Sequence, residues 1–363
     1  MKKVVISGYH GYNNSGDEAI LVAMIKNIKK LYKDIDIIAL SYIPEKTKEM
    51  YNIDTIYRFD YKAIRKALKE SDILISGGGS LIQDLTSSRS LLYYLAIILT
   101  AKFYKKDVML YGNGIGPVNK RVNRYLVKKV INKVNLITLR ESSSKLVLDK
   151  LGVNKPDIYI AADPVFTLES IDEKEAEKIL EKECIPMDKP LIGICIRNWK
   201  HEENYVEKIS ELCDQLIEKG NNVLFIPMQY PNDVDISNTI LSKMNNKGYA
   251  LKENYQSFEI LGVVNFLSIV ISMRLHMLIY AAIKNKPMIG IIYDPKIKAY
   301  LEEIDMPALE NIDDLDVNNI VEIFDDINLN YKTYEDKIAI KTKLLKEKAG
   351  LNDTCLEKLL IKK

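Results

Sequence analysis

Short apolar runs alternate with segments of helical periodicity from the first residues of this 363-residue chain onward. In the first half, the apolar runs predict strands at 4–7, 35–40, 73–76, 108–111 and 136–139. The segments between them have the apolar spacing of amphipathic helices, at 17–32, 61–70, 89–103, 121–134 and 142–151. Fully apolar strands joined by helices are typical of a parallel sheet that helices cover on both faces.

The same alternation starts again in the second half of the chain. Strands are predicted at 191–196, 223–227, 266–271 and 288–292, and helices at 172–183, 204–219, 233–244, 257–264 and 275–284. Between the halves, the stretch 163–190 is weakly patterned and contains Pro164, Pro186 and Pro190. It predicts a linker, with an N-terminal domain at 1–170 and a C-terminal domain at 171–363. The tail 331–363 predicts C-terminal helices that can pack back on the N-terminal domain.

The length of the chain also favours two domains, because single cores rarely grow beyond roughly 300 residues. We therefore expect an α/β protein with two Rossmann-like parallel-sheet domains. Two such domains that face each other across a central cleft form the GT-B-like architecture. The two α/β halves follow from the residue pattern, and their facing arrangement is an analogy.

Composition narrows the choice of partners. The chain has 52 basic and 50 acidic residues, a net charge of +2, so an anion site must be local and a nucleic-acid partner is not expected. Its four cysteines are scattered without metal-ligand spacing, which indicates reduced thiols in a cytoplasmic protein. The apolar run 91–101 ends at Lys102 and is too short to span a bilayer. It predicts a helix packed on a sheet, and the alternative is a membrane-docking surface.

Three glycine-rich loops follow predicted strands of the first half, at 8–18, 76–84 and 112–117. Ligands bind at the carboxyl ends of strands in open α/β sheets, and glycine lets a backbone approach them closely. The candidate binding residues in these loops are Gly16, Gly78, Gly79, Gln83 and Asn113. Each loop taken singly also fits a tight structural turn.

Polar side chains in and near these loops are further candidates for the site. Asp17 either caps the first helix or binds and deprotonates a sugar hydroxyl, and Asp84 is a second candidate for hydroxyl binding. Arg140 either binds an anion or forms an ion pair with Glu141 or Asp163, and we favour the ion pair. His10 is a further candidate to face the ligand.

Four cationic or titratable side chains follow strands of the second half. Arg197, Arg274, His276 and Lys296 all lie at predicted strand ends of one sheet. Each alone fits a surface cation or an ordinary histidine, but their shared edge favours an anion site with a general acid–base. No DxD of the glycosyltransferase kind stands out, nor does a His/Cys pair at ligand spacing, so no metal is expected.

Several sequence motifs together resemble the polysaccharide pyruvyl transferases of bacteria, most of all the CsaB type. They are the Gly-Tyr-His-Gly-Tyr-Asn-Asn-Ser-Gly-Asp-Glu run at 8–18, Ser-Gly-Gly-Gly-Ser-Leu-Ile-Gln-Asp at 76–84, Gly-Ile-Gly-Pro at 114–117, Ala-Ala-Asp-Pro at 161–164, Met-Arg-Leu-His at 273–276 and Tyr-Asp-Pro-Lys at 293–296. The resemblance covers about the first 300 residues. His10 and Tyr12 occupy aromatic or variable positions of the first motif.

The resemblance implies transfer of the pyruvyl moiety of phosphoenolpyruvate to a sugar, with release of phosphate. For the CsaB type it implies a 4,6-linked ketal on N-acetylmannosamine of a polyprenyl-diphosphate-linked cell-wall precursor, which later anchors surface-layer proteins. Phosphoenolpyruvate would be a co-substrate, with no cofactor. The lipid-linked acceptor suggests peripheral contact with the inner membrane face, while a homo-oligomer remains open.

Applied to this chain, the expected reaction assigns a role to each candidate. Arg197, Arg274 and Lys296 would bind phosphoenolpyruvate, with Leu275 beside them, and His276 would be the general acid–base. Asp17 and Asp84 would orient or deprotonate the acceptor hydroxyls, in a pocket lined by the glycine-rich loops. The alternatives are a GT-B nucleotide-sugar glycosyltransferase and a non-catalytic two-lobe binding protein.

Overall fold

The computed structural model describes residues 2–85, 87–199, 202–309 and 315–361, with the backbone alone at 202 and 203. The chain divides into two compact units. The first unit comprises Met1–Tyr12, Asp17–Leu168 and Leu345–Lys363, and the second comprises Asn13–Gly16 and Glu169–Leu344.

The first unit contains a parallel sheet of seven strands in the order β3-β2-β1-β4-β5-β6-β7. The strands are β1 (Lys2–His10), β2 (Ile35–Ser41), β3 (Asp54–Tyr57), β4 (Ile73–Gly77), β5 (Asp107–Asn113), β6 (Leu136–Leu139) and β7 (Asp157–Ile160). Its helices are α1 (Ser15–Leu31), α2 (Pro44–Tyr51), α3 (Tyr61–Glu70), α4 (Ser88–Phe103), α5 (Arg121–Ile131) and α6 (Ser142–Leu151), with a 3₁₀ turn at Pro164–Thr167.

The strand order determines which helices share a face of this sheet. From β3 onward the chain moves in one direction across the sheet, whereas from β1 to β3 it moves in the other. Right-handed crossovers therefore place α3, α4, α5 and α6 on one face and α1 and α2 on the other. A buried cluster of aliphatic side chains from β4, β5, β6 and the helices α3 to α6 forms the core on the first of these faces.

The second unit contains a parallel sheet of six strands in the order β10-β9-β8-β11-β12-β13. The strands are β8 (Leu191–Cys195), β9 (Asn222–Phe225), β10 (Tyr249–Ala250), β11 (Leu267–Ser272), β12 (Met288–Ile291) and β13 (Ala308–Leu309). The helices are α7 (Glu173–Lys182), α8 (Glu202–Glu218), α9 (Asn232–Leu241), α10 (Ser257–Val264), α11 (Leu275–Ile283), α12 (Pro295–Ile304), α13 (Val317–Leu329) and α14 (Tyr331–Ile361). The last turns of α14 belong to the first unit.

The expected fold class of two parallel-sheet α/β domains is confirmed, and several predicted elements end within a residue or two of the observed ones. The hydrophobic pattern did not predict β3 and β7. Both are half-exposed strands at the edges of the first sheet, where only part of the strand faces the core. Strand β1 extends to His10, three residues beyond its predicted end. In the described ranges, no helix combines the length and the apolar content needed to cross a membrane.

Candidate functional site

The carboxyl edge of the second sheet brings together the predicted cationic side chains. Strands β8, β11 and β12 are neighbours, and Ser272 at the end of β11 pairs with both Cys195 and Gly290. Arg197 and Arg274 each follow these paired positions by two residues, so both lie just beyond the same edge. Helix α11 begins directly after Arg274, and a helix N-terminus favours bound anions.

Arg274 is held at this edge by a buried ion pair. Its guanidinium bonds to Asp233, whose side chain is only 1% exposed, and its Nη2 also lies 3.4 Å from Oε1 of Gln229. The other oxygen of Asp233 accepts hydrogen bonds from the backbone N–H groups of Met228 and Gln229, at 3.1 and 3.0 Å. Burial works to lower the pKa of Arg274, but the Asp233 carboxylate outweighs it and raises the pKa. The guanidinium therefore stays charged.

Arg197 and Lys296 occupy the strand ends on either side of Arg274. Nη1 of Arg197 donates to the hydroxyl of Tyr293 at 3.1 Å, and its guanidinium lies 4.9 Å from the centre of that ring. Trp199 packs edge-on against the same ring. Lys296 is in the first turn of α12 and forms a 3.2 Å ion pair with Asp294. The sheet thus brings these two cations to the edge where Arg274 lies.

Residues 13–16 of the first glycine-rich loop belong to this second unit, although the sequence placed them in the N-terminal domain. The backbone N–H of Ser15 donates to the carbonyl of Met228 at 2.7 Å, and that of Tyr230 donates to the carbonyl of Asn13 at 3.1 Å. The Ser15 hydroxyl lies 3.1 Å from the Tyr280 hydroxyl. These bonds align the loop with the end of strand β9 and with α11.

His276 packs directly against Gly16. A Cβ atom added at Gly16 would lie 2.0 Å from Nδ1 of His276, so only glycine fits beside the imidazole in its present position. His276 is half-buried in the first turn of α11, next to buried Leu275. The structure therefore brings together Gly16, Arg274, Leu275 and His276 in one unit.

In the first unit, Asp17 lies over the second glycine-rich loop. Gly78 and Gly79 both have left-handed backbones, with φ of 63° and 68°. A Cβ at Gly79 would lie 3.0 Å from Oδ1 of Asp17, and one at Gly78 would lie 1.9 Å from Ile20. The loop thus needs glycine both for its conformation and for its close approach to helix α1.

The carboxylate of Asp84 is occupied by three donors. It accepts hydrogen bonds from the backbone N–H groups of Asn119 and Lys120, at 2.8 and 3.0 Å, and from the amide of Asn123 at 2.8 Å. Burial works to raise the pKa of Asp84, but these hydrogen bonds outweigh it and lower the pKa. The described contacts are those of a carboxylate that fixes the start of α5, and its role in hydroxyl binding stays a prediction.

Gln83 and Asn113 also make local contacts. Oε1 of Gln83 accepts a 2.7 Å hydrogen bond from the backbone of Leu85. The fully buried Asn113 donates to the carbonyls of Ser76 and Tyr111, which joins β4 to β5. Their contact with an acceptor stays a prediction. The ion pair favoured for Arg140 is confirmed, because its guanidinium bonds to Glu141 and Asp163, both at 3.0 Å.

His10 does not reach the surface as a ligand-facing side chain, because it is 1% exposed at the end of β1. Burial first, and then the nearby Arg58 charge, lower the pKa of His10 from 6.5 to about 3. The imidazole is therefore neutral near neutral pH.

This depressed pKa predicts acid sensitivity of the fold. The unfolded chain binds a proton at His10 below pH 6.5, whereas the folded chain does so only near pH 3, so the stabilisation is complete above pH 6.5 and is lost as the pH falls. We expect up to about 1.4 kcal/mol lost per pH unit from this one group. Urea unfolding of the protein and of a His10→Gln variant between pH 7 and 4 measures it. Equal pH slopes would contradict the assignment.

A ladder of aromatic side chains, which sequence reasoning missed, lies at the carboxyl ends of β1, β2 and β3. We define the aromatic ladder as the rings in successive contact, Tyr9, Tyr12, Tyr42, Tyr57, Phe59 and Tyr93. The first three rings stack with centres 4.1 and 4.6 Å apart. Its members come from four separate chain segments, so no single stretch of sequence contains the pattern.

The ladder surrounds a buried cation, and three of its rings are partly exposed. The Arg58 guanidinium lies 4.5 Å from the centre of the Tyr93 ring and 5.2 Å from that of Tyr12. Tyr42, Tyr57 and Phe59 are 43–44% exposed, which is unusual for neighbouring large rings. Burial, then the neighbouring Tyr12 and then the Asp17 charge raise the pKa of Tyr9.

The two parallel-sheet α/β units give the chain a GT-B-like fold. Solved structures of similar fold include a UDP-GlcNAc 2-epimerase from Neisseria meningitidis bound to UDP-GlcNAc, with a TM-score of 0.67, 13% identity and 100% coverage of both chains. Another is a putative UDP-N-acetylglucosamine 2-epimerase from Listeria monocytogenes, with a TM-score of 0.69, 11% identity and coverage of 100% and 98%. At these identities the likeness concerns the fold alone.

Sequence comparison identifies the family within this class. The model of the family described as polysaccharide pyruvyl transferase matches residues 14–295, so the chain belongs to the polysaccharide pyruvyl transferase family. It is also 21% identical to the amylovoran biosynthesis protein AmsJ of Erwinia amylovora, over 93% of this chain and 94% of that protein. The matched span includes the Arg274–His276 segment and ends within the Tyr-Asp-Pro-Lys motif.

Proposed function

We propose that the protein is a pyruvyl transferase of the CsaB type that uses phosphoenolpyruvate as its donor. The product would be a 4,6-ketal on N-acetylmannosamine of a lipid-diphosphate-linked secondary cell-wall polymer precursor, and phosphate would be released. The observation that supports this most is the cationic edge of the second sheet, where Arg274 and Arg197 lie beside the N-terminus of α11 and His276. A donor with both a phosphate and a carboxylate needs such a cluster of positive charge.

In this proposal the residues of the second unit bind the donor and move protons. Arg274 and Arg197 take the phosphate and the carboxylate, and Lys296 adds a third positive charge. One acceptor hydroxyl adds to the central carbon of phosphoenolpyruvate while a proton reaches the methylene carbon, which becomes a methyl group. The second hydroxyl then displaces phosphate at the same carbon, and its proton leaves with the phosphate. His276 is the group we assign to deliver or accept these protons.

The first unit supplies the acceptor side in this proposal. Asp17 lies over the second glycine-rich loop, and we assign it to orient or deprotonate a sugar hydroxyl. The partly exposed rings of the ladder suit the C–H-rich face of a sugar, because aromatic rings present negative charge above their planes. Neither a metal nor a cofactor is part of the proposed reaction. We also propose a cytoplasmic location with peripheral contact to the membrane that carries the acceptor.

The direct test is to incubate the purified protein with phosphoenolpyruvate and a lipid-diphosphate disaccharide that ends in N-acetylmannosamine. Phosphate release with a product heavier by one pyruvyl group supports the reaction. Transfer to a different sugar would support pyruvyl transfer but contradict N-acetylmannosamine as the acceptor. Turnover of a UDP-sugar without any use of phosphoenolpyruvate would overturn the proposal in favour of a glycosyltransferase.

The ladder gives a separate prediction for acceptor binding. Replacing Tyr42 by alanine should raise the KM for a water-soluble acceptor about five- to tenfold, since aromatic stacking contributes roughly 1 kcal/mol. The KM for phosphoenolpyruvate should not change. Tyr125→Ala is the matched control, because Tyr125 has similar exposure but lies on α5, outside the ladder. Equal effects of both variants on the acceptor KM would contradict this role of the ladder.

A further inference from the structure

Helix α4 leaves an apolar stripe uncovered on the outer face of the first unit. After Arg89 in the first turn, its solvent-exposed positions are Leu92, Ala96, Leu99 and Phe103, spaced as successive turns of one helix face, and we call these four residues the α4 stripe. Phe103 is 77% exposed. On the neighbouring helix α5, Val122 and Tyr125 are also exposed, at 69% and 54%. A contiguous apolar surface of this kind marks an interaction site.

Basic side chains flank the α4 stripe on both sides. Helix α4 packs between α3 and α5. The outward residues of α3 are Lys62, Arg65, Lys66 and Lys69, and those of α5 and its ends are Lys120, Arg121, Arg124, Lys128, Lys129 and Lys133. In the described part of the chain, none of these ten side chains forms an ion pair with a carboxylate. Their charges are therefore available to a partner.

The charge of this face is not shared by the rest of the protein. Residues 61–70, 88–106 and 120–133 together carry 14 Lys and Arg residues and one Glu. That leaves 38 of the 52 basic and 49 of the 50 acidic residues for the remainder of the chain. The net charge of the whole chain is therefore near zero although this face is strongly basic, because the rest of the protein is acidic.

A hollow lies where the stripe meets the basic flank. It has a volume of about 710 Å³, and its lining includes Leu99 and Phe103 together with Arg65, Lys102 and Lys133. Apolar side chains beside three cations match the boundary between acyl chains and phosphate headgroups. Apolar helix faces with basic margins are the common pattern of helices that lie in an anionic membrane surface.

We propose that the face formed by α3, α4 and α5 docks on a bilayer of anionic phospholipid. The α4 stripe enters the interface between headgroups and acyl chains, and the flanking Lys and Arg residues bind the phosphates. Docking by this face rests on the proposed function, which includes a peripheral membrane contact, and locates that contact on α3, α4 and α5. Vesicle binding is measured without any transfer reaction, however, so either proposal can fail while the other stands.

The test is flotation of the full-length protein with vesicles of phosphatidylcholine, alone or mixed with phosphatidylglycerol. We expect binding to the anionic vesicles, weakened by added salt, and little binding to the neutral ones. A Lys128→Glu, Lys129→Glu variant should lower the partition coefficient by at least about 25-fold, since each cation near an anionic surface contributes about fivefold. Lys343→Glu, Lys346→Glu on α14 has the same change in net charge and should bind almost as the parent does.

The apolar part of the surface needs its own variant. Phe103→Ser should weaken vesicle binding, whereas Leu329→Ser, at an equally exposed position of α13, should not. Urea unfolding of all these variants should match that of the parent, which shows that they fold. Absence of binding to anionic vesicles, or equal effects of the test and control variants, overturns the proposal. If the parent forms a dimer and does not bind vesicles, and Phe103→Ser loses that dimer, the α4 stripe is an interface with a second copy of the chain. That result would also overturn the proposal of membrane docking.

Discussion

Replacing His276 by alanine is expected to lower the turnover number by about 100- to 10,000-fold, the usual contribution of a general acid–base. The free energy of unfolding should change by less than about 1 kcal/mol, because the imidazole is half-buried at the start of α11 and is not part of the core. Phosphate release in the steady state and urea unfolding measure the two quantities. Parental turnover in this variant would remove His276 from the mechanism.

A second variant tests the position of the imidazole without removing it. Gly16→Ala places a methyl group within 2.0 Å of Nδ1, so the ring must move. Because the ring is the end of a rotatable side chain, we expect a large loss of turnover and a small loss of stability. Gly350→Ala, where a Cβ would meet no atom within 4 Å, is the control and should retain full turnover. Full turnover in Gly16→Ala would mean that the observed ring position is not needed.

Replacing Arg274 by alanine should affect both catalysis and stability. We expect kcat/KM for phosphoenolpyruvate to fall about 100- to 1,000-fold, since charge-assisted hydrogen bonds contribute roughly 1.5–3 kcal/mol each. Stability should fall by about 3 kcal/mol, because the buried Asp233 carboxylate would lose its counter-charge. Initial rates at varied donor concentration and thermal unfolding check these values.

The two effects of Arg274 can be separated by changing its partner. In a double variant, Asp233→Asn with Arg274→Met, no charge is left buried, so most of the lost stability should return. The donor-binding defect should remain, because the positive charge is still absent. Recovery of kcat/KM together with stability would show instead that Arg274 serves only to hold the loop at Met228 and Gln229.

The sequence predicted the strand-to-helix junction at Arg274 and His276 well. A run of buried residues followed by a helical pattern needs no long-range information, and parallel strands carry their loops to one edge. Asp233 was not predicted as the partner of Arg274. It lies 41 residues away in the sequence and resembles an ordinary acidic residue at a helix start, so only the folded chain reveals the pairing.

Other parts of the candidate site depend on backbone contacts, which side-chain patterns do not encode. The position of Gly16 beside His276 follows from backbone hydrogen bonds of Ser15 and Asn13 to residues more than 200 positions away. From the sequence, the place of Asp84 at the end of a glycine-rich loop indicates a hydroxyl-binding residue. Its hydrogen bonds to the start of α5 come from residues 35 to 39 positions later, and these likewise required the structure.

The discontinuous chain path of the first unit has a consequence for biosynthesis. Residues Leu345–Lys363 complete that unit, where Asn352 donates to the carbonyl of Ala162 at 3.0 Å and Asp353 pairs with Tyr111. All of the second unit precedes these residues in the sequence. During vectorial synthesis the N-terminal sheet therefore lacks these helical turns until Leu345–Lys363 have emerged from the ribosome. A nascent chain arrested before residue 345 would expose the surface that these turns cover and would depend on chaperones.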